Sequence, residues 1–137
     1  MNKSEFETLS DFRYQLRRFL RFSENITRAS GVTHLQYLLL LHIKGYPDRE
    51  WATISELSER LQAQHHGTVA LVSRCEALDL VARVQGKLDR REVEVHLTLA
   101  GEKLIQTLAR HHRDELLKLQ GIFQVPGSKD LGVNAES

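Results

Sequence analysis

The sequence predicts a mainly α-helical chain with one small β-hairpin, an α+β fold, and three observations carry that prediction. Apolar residues recur at steps of three and four over most of the chain, the stripe of amphipathic helices. The period changes once, to a step of two, at Val93, Val95 and Leu97. A final segment returns to helical spacing with Leu104, Ile105, Leu108, Leu116, Leu117 and Leu119. The 137 residues suit one compact domain, and 41% hydrophobic with 27% charged residues excludes wholesale disorder.

Each element has its own justification. Leu9, Phe12, Leu16, Phe19, Leu20 and Ile26 stripe a first helix, with Ser4 and Glu7 as a capping box and Gly31 as a stop. Its opposite face carries Arg13, Arg17, Arg18, Arg21 and Arg28. Thr33 and Gln36 cap a second helix through Ile43, and Gly45, Pro47 and Asp48 mark a loop. Thr53 and Glu56 cap a short third helix bearing Ile54, Leu57 and Leu61. A fourth runs from about His65 to about Leu78, with Val69, Val72 and Cys75 on one stripe. Glu92, Glu94 and His96 alternate with the apolar positions of a half-buried strand, and Leu80 to Val84 is its partner across the polar loop Gln85 to Arg91. Thr98 caps the last helix, and Gly127 to Ser137 reads as a disordered tail. The predicted organisation is a long helix in 1–32, a helical and hairpin unit in 33–98, a long helix in 99–123 and a flexible tail in 124–137.

Charge and composition exclude several classes. The net charge of +1 rules out a polybasic coat protein or an acidic tail. The one cysteine, Cys75, cannot form an internal disulfide, which fits a reducing cytoplasm. Met1 to Leu9 has no apolar signal core, and the longest apolar stretch, Leu35 to Ile43, is broken by Gln36 and His42. A cytoplasmic protein with no membrane partner is expected. There is no G-x-S-x-G, no Gly-rich phosphate loop and no nucleophile beside an obvious base, so no enzyme is expected. His111, His112, Asp114 and Glu115 have helical pair spacing, but no second cysteine or HExxH supports a metal, and they read as a solvated polar face. No cofactor is expected.

Two short capped helices followed at once by a hairpin form a winged helix-turn-helix. The residues make this specific. His65-His66-Gly67-Thr68-Val69-Ala70-Leu71-Val72-Ser73-Arg74-Cys75-Glu76 resembles a recognition helix. Asp89-Arg90-Arg91 followed by Val93-Glu94-Val95-His96-Leu97-Thr98-Leu99-Ala100-Gly101 resembles the wing signature of the MarR family of bacterial transcription regulators. The similarity spans roughly residues 10–120. It implies a homodimer held by the first and last helices, binding double-stranded DNA at a pseudo-palindromic operator, as a repressor more than an activator. The long terminal helices agree, because they carry more apolar surface than one small winged core covers.

The expected DNA contacts follow from chemistry at each position. His65, His66 and Thr68 sit in the first turn of the recognition helix, where side chains reach base edges and the helix end favours phosphate. Gly67 and Ala70 are small enough for close backbone approach, and Arg74 reaches a phosphate or a guanine edge. Lys87, Arg90 and Arg91 crown the wing, with Asp89 orienting an arginine. The resemblance puts Arg91 in the minor groove, whose negative potential suits a guanidinium. From Arg60 to Arg91, six basic residues against three acidic leave +3. The alternative is a winged-helix protein–protein interaction module, which has no need of a basic wing tip.

Asp79 stands where the family usually ends this helix with glycine, and Gly67 where relatives often have serine. Pro126 and the polar tail leave little room for an extra dimerisation helix. Many family members respond to a small aromatic or anionic effector, and Phe19, Phe22, His34, Tyr37 and His42 are the residues placed to line such a cleft, with simple core as the competing reading. Cys75 lies on an apolar stripe and is expected to be inert.

Overall fold

The computed structural model describes residues 1–133. In chain order the elements are α1 (Lys3–Ala29), α2 (His34–Lys44), β1 (Trp51–Thr53), α3 (Ile54–Leu61), α4 (His65–Ala77), β2 (Val81–Gln85), β3 (Val93–Leu97) and α5 (Leu99–Lys118). The expected five helices and hairpin are all present, and the fold is a winged helix-turn-helix between two long helices.

Local capping sets most helix starts. The Gln36 N–H donates to the Thr33 hydroxyl at 3.1 Å while the Thr33 N–H donates to the Gln36 side chain at 2.9 Å. Thr53 and Glu56 repeat that box at α3. The expected cap of α1 was displaced: Asn2 and Glu5 form the box, and Ser4 lies inside the helix. Both pairs satisfy the same spacing, and the structure uses the earlier one.

β1 is the element that the residue pattern did not reveal. It is three residues long and pairs antiparallel with β3, Ala52 facing Val95, so the hairpin becomes a three-stranded sheet in the order β1-β3-β2. Alternation sends Ala52, Val81 and Val95 inward, where they meet Leu39, Leu40 and Ile43 of α2, Leu57 of α3, Val72 and Cys75 of α4, and Ile105 and Leu108 of α5. Helix α2 is therefore the central post of the core.

Helix α4 ends in a Schellman turn: the Leu80 N–H donates to the Cys75 carbonyl and the Asp79 N–H to the Glu76 carbonyl, each at 3.0 Å. Asp79 takes the left-handed conformation this turn requires, with φ 59°. The start of α5 docks on the same turn, through Thr98 N–H to the Leu80 carbonyl at 3.1 Å and Thr98 hydroxyl to the Asp79 carbonyl at 2.6 Å.

At the other end, Phe123 beyond α5 stacks on Phe12 of α1 at a centroid distance of 5.7 Å. Of the expected tail, Gly127–Val133 forms a turn closed by the Val133 N–H on the Ser128 carbonyl at 2.8 Å; residues 134–137 lie outside the described residues.

Candidate nucleic-acid interface

Helix α4 presents a bare start. Its N-cap, Gln64, makes no side-chain cap bond, so the first-turn N–H groups have no side-chain acceptor. His65, His66, Gly67, Ala70 and Arg74 are exposed, and space around Gly67 is open. Thr68 does not join them. It is buried, 1% exposed, and its hydroxyl donates to the Gln64 carbonyl at 3.1 Å. A residue three after His65 lies on the inner face once α4 packs on Val69, Val72 and Cys75, so Thr68 leaves the expected contact set.

The wing is a tightly tied loop. Gly86 N–H donates to the Glu92 carbonyl at 2.9 Å, and any Cβ on Gly86 would collide with the Asp89 carbonyl. Asp89 accepts three bonds from Arg91: Nε on Oδ1 at 3.1 Å, a terminal nitrogen on Oδ2 at 3.0 Å, and the backbone N–H on Oδ1 at 3.0 Å. The Arg91 side-chain bond, then the backbone one, hold the Asp89 carboxyl below its usual range. The guanidinium stays 91% exposed, so the fork is aimed and still free to meet a ligand. Lys87 and Arg90 are exposed beside it.

These two features share one side of the molecule. A cleft of about 230 Å³ is bordered by His65 and Val69 of α4, Ser55 of α3, and Arg91 and Glu92 of the wing. Ser55, an exposed residue at the start of α3, was not anticipated; its position just after a capping threonine is the signal that could have found it. Leu88, fully exposed at the wing tip, was also missed, although an apolar residue inside a polar turn is itself a sign.

Arg83 changes the reading of the basic patch. It is not a free cation, because it is bonded to Glu76, to Ser73 and to the Val69 carbonyl. Arg60 stands off the ring of Tyr46, its guanidinium carbon 5.1 Å from the centroid. The cations displayed at α4 and the wing are Arg74, Lys87, Arg90 and Arg91.

The residues expected to line an effector cleft do not share one cavity. Phe19, Phe22, His34 and Tyr37 gather around His112 of α5, but His42 stands apart, its pKa lowered by burial and then by the Arg60 charge. His112 is buried, 5% exposed, and stacks on Tyr37 at 4.4 Å, which overturns its reading as part of a solvated polar face. The Leu108 carbonyl, 2.7 Å from His112 Nδ1, can only accept, so Nδ1 carries the proton. In the neutral ring Nε2 then accepts from Ser23, also at 2.7 Å, and Ser23 accepts from His34 Nδ1 at 3.1 Å. This chain ties α5, α1 and α2 together. Phe19 and Phe22 also face an open cleft of about 430 Å³ lined by Arg17, Arg18 and Arg21. Burial pushes the Cys75 thiol up to about 11, in keeping with inert packing. Among the described residues no group of three or more His, Cys, Asp or Glu side chains is placed to hold a metal, and no helix is long and apolar enough to cross a membrane.

Comparison with known proteins adds lineage to this geometry. The sequence profile of the MarR family matches residues 30–92. An uncharacterized HTH-type transcriptional regulator of Bacillus subtilis, YsmB, is 36% identical over 64 residues, covering 47% of this chain and 44% of the relative, less than half its length. In three dimensions the chain resembles AbsC, a MarR family transcriptional regulator from Streptomyces coelicolor, with a TM-score of 0.76 at 19% identity over 96% of this chain and 87% of that one. It also resembles a MepR variant from S. aureus solved bound to an oligodeoxyribonucleotide, with a TM-score of 0.66 at 18% identity over 87% and 84% of the two chains. These structures share the fold, and the sequence match supplies the family. Through its helix-turn-helix and wing, residues 30–92, this chain belongs to the MarR family.

Proposed function

We propose that this protein is a sequence-specific regulator of transcription that binds double-stranded DNA as a homodimer and acts as a repressor. The observation that carries the reading is the shared cleft, which sets the uncapped start of α4 and the aimed guanidinium of Arg91 on one face. A helix of this kind enters the major groove by its first turn, and a thin loop tipped with arginine suits the adjacent minor groove. His65, His66, Gly67, Ala70 and Arg74 then face the major groove, and Lys87, Arg90 and Arg91 the wing side of the duplex.

Apolar residues left exposed on and around the terminal helices support the dimer. Phe6, Leu9, Leu116, Leu117 and Ile122 lie at the ends of the α1–α5 layer, away from the wing. A twofold pair of such chains fits a pseudo-palindromic operator. The open cleft beside Phe19 and Phe22, with three arginines, has the chemistry for an anionic aromatic effector.

Selection from a random duplex library, followed by anisotropy titration at two salt concentrations, tests this. An enriched palindrome bound by two chains is expected. Arg91→Ala is expected to weaken binding. If Arg91 mainly neutralises backbone charge, the slope of log affinity on log salt flattens by about 0.9. An unchanged slope with lost A·T preference assigns it to groove readout instead. No enriched sequence would overturn the DNA reading in favour of a protein-binding winged helix.

A further inference from the structure

Arg83 sits on β2, one step up the wing from the core residue Val81, where its partner on β3 is the buried Val95. An apolar residue would suit that inward position. Instead its guanidinium crosses to α4. One terminal nitrogen donates to Glu76 at 2.7 Å; the other donates to the Ser73 hydroxyl at 2.7 Å and to the Val69 carbonyl at 3.1 Å. Its backbone N–H donates to the second Glu76 oxygen at 3.1 Å. Glu76 is thereby held below the usual carboxylate range, first by the backbone bond. The bonds to Val69, Ser73 and Glu76 span two turns of one helix face. Without them, α4 and the wing would be joined on this side only by the turn at Leu78–Leu80.

We propose that Arg83, locked by Glu76, is a positioning residue that fixes the wing relative to α4, and so sets how far apart the major-groove and minor-groove contacts fall. The inference rests on the reading of α4 and the wing as one DNA-binding face. A guanidinium with three acceptors has no valence left for a phosphate, so Arg83 acts through Arg91 and not on DNA. Lysine cannot replace it, because an ammonium cannot fork to acceptors on successive helical turns.

A double-mutant cycle on the selected duplex tests this, with Arg83→Met retaining the stem and Arg91→Ala removing the wing tip. If Arg83 positions the wing, the Arg91 contribution collapses with it. Arg91→Ala then costs on the order of tenfold in the native background and about twofold or less in Arg83→Met, a coupling typical of residues acting as a unit. The salt slope of Arg83→Met alone stays at the native value. Glu76→Gln, which preserves shape but not charge, is expected to lose affinity in the same direction, and it remains informative if Arg83→Met fails to fold. Additive losses with a slope lower by about 0.9 would assign Arg83 to a phosphate and overturn the proposal. So would tighter binding by Glu76→Gln, which would mean that freeing the cation helps. Native protein that binds no duplex removes the DNA reading itself and this inference with it. Native binding that is untouched by Arg83→Met removes the inference alone.

Discussion

Two glycines on two helices should answer the same substitution with opposite signs. Gly101, in the first turn of α5, is buried against the α4–β2 turn. A Cβ there would stand 3.0 Å from the Leu80 carbonyl carbon, 3.4 Å from its Cα and closer still to its oxygen. All three are backbone atoms, so no side chain can swing away. Relief requires α5 to lift off the turn, stretching the Thr98 N–H bond to that same carbonyl, now 3.1 Å. Overpacking of this kind costs about 1–3 kcal/mol and the compromised hydrogen bond about 1 more. Alanine's better helix propensity returns about 1 kcal/mol. Gly101→Ala should therefore destabilise by about 1–3 kcal/mol, a drop in Tm of roughly 3–10 °C for a chain this size. Gly67 in α4 meets nothing within 4 Å. Gly67→Ala gains only the propensity term, about 1 kcal/mol, so its Tm should rise by a few degrees. Thermal unfolding followed by circular dichroism reads both. A Gly101→Ala Tm at or above the native value would refute the steric reasoning, because propensity alone predicts that result.

Two further outcomes follow from the same coordinates. Asp79→Gly relieves a left-handed residue at φ 59° in the Schellman turn, and it should raise stability by about 0.5–1 kcal/mol after glycine's larger unfolded-state entropy is subtracted. A lowered denaturation midpoint would mean that the aspartate side chain stabilises the turn. Burial lowers the pKa of His34, helped by His112 and opposed by Glu24, so the folded chain binds fewer protons than the unfolded one. This stability is present above the unfolded value near 6.5 and is lost as pH falls toward the lowered folded value, whereas the depressed carboxylates, Glu56 and Glu76 among them, matter only at lower pH. Tm should fall from pH 7.5 to 5.5, and His34→Gln should flatten that slope; an equal slope in the variant would reject His34 as a contributor.

What the residues disclosed in advance was whatever depends on near neighbours. The capping boxes at Thr33 and Thr53 close over three residues, and the step of two in Val93–Leu97 needs no partner to be seen. The wing tie between Asp89 and Arg91 is equally local. What stayed hidden depends on distant pairing. β1 is too short for a period and exists only because Trp51 meets His96 across the fold. His112 looked like one of several polar helix residues until Ser23, 89 residues away, supplied its hydrogen bond. Arg83 counted as one more positive charge, because nothing in composition says that Glu76 and Ser73 already occupy it. Thr68 sits at a three-residue step from His65, where a small error in helix phase moves a side chain from the groove to the core.

The backbone at Leu80 explains why the recognition helix, the wing and the long C-terminal helix must move together. Its N–H closes the end of α4 on the Cys75 carbonyl, and β2 begins at the next residue. Its carbonyl receives the Thr98 N–H that starts α5, and Gly101 packs against the same atoms. Farther along, Glu102 of α5 pairs with Lys44 of α2 at 2.9 Å, and His112 bonds to Ser23 of α1. Helix α5 is thus pinned to the α4–β2 junction at one end and to the α1–α2 layer at the other. Close-packed contacts of this kind transmit displacement instead of absorbing it. A change in how two copies pack their α1–α5 layers, or an anion seated among Arg17, Arg18 and Arg21, would shift α5 along its axis or tilt it. The first backbone to feel that shift is the turn that sets the direction of α4. Regulation in this fold therefore requires no flexible linker: a short, hydrogen-bonded junction converts a rearrangement of the helical layer into a new angle between the two DNA-binding faces of a dimer.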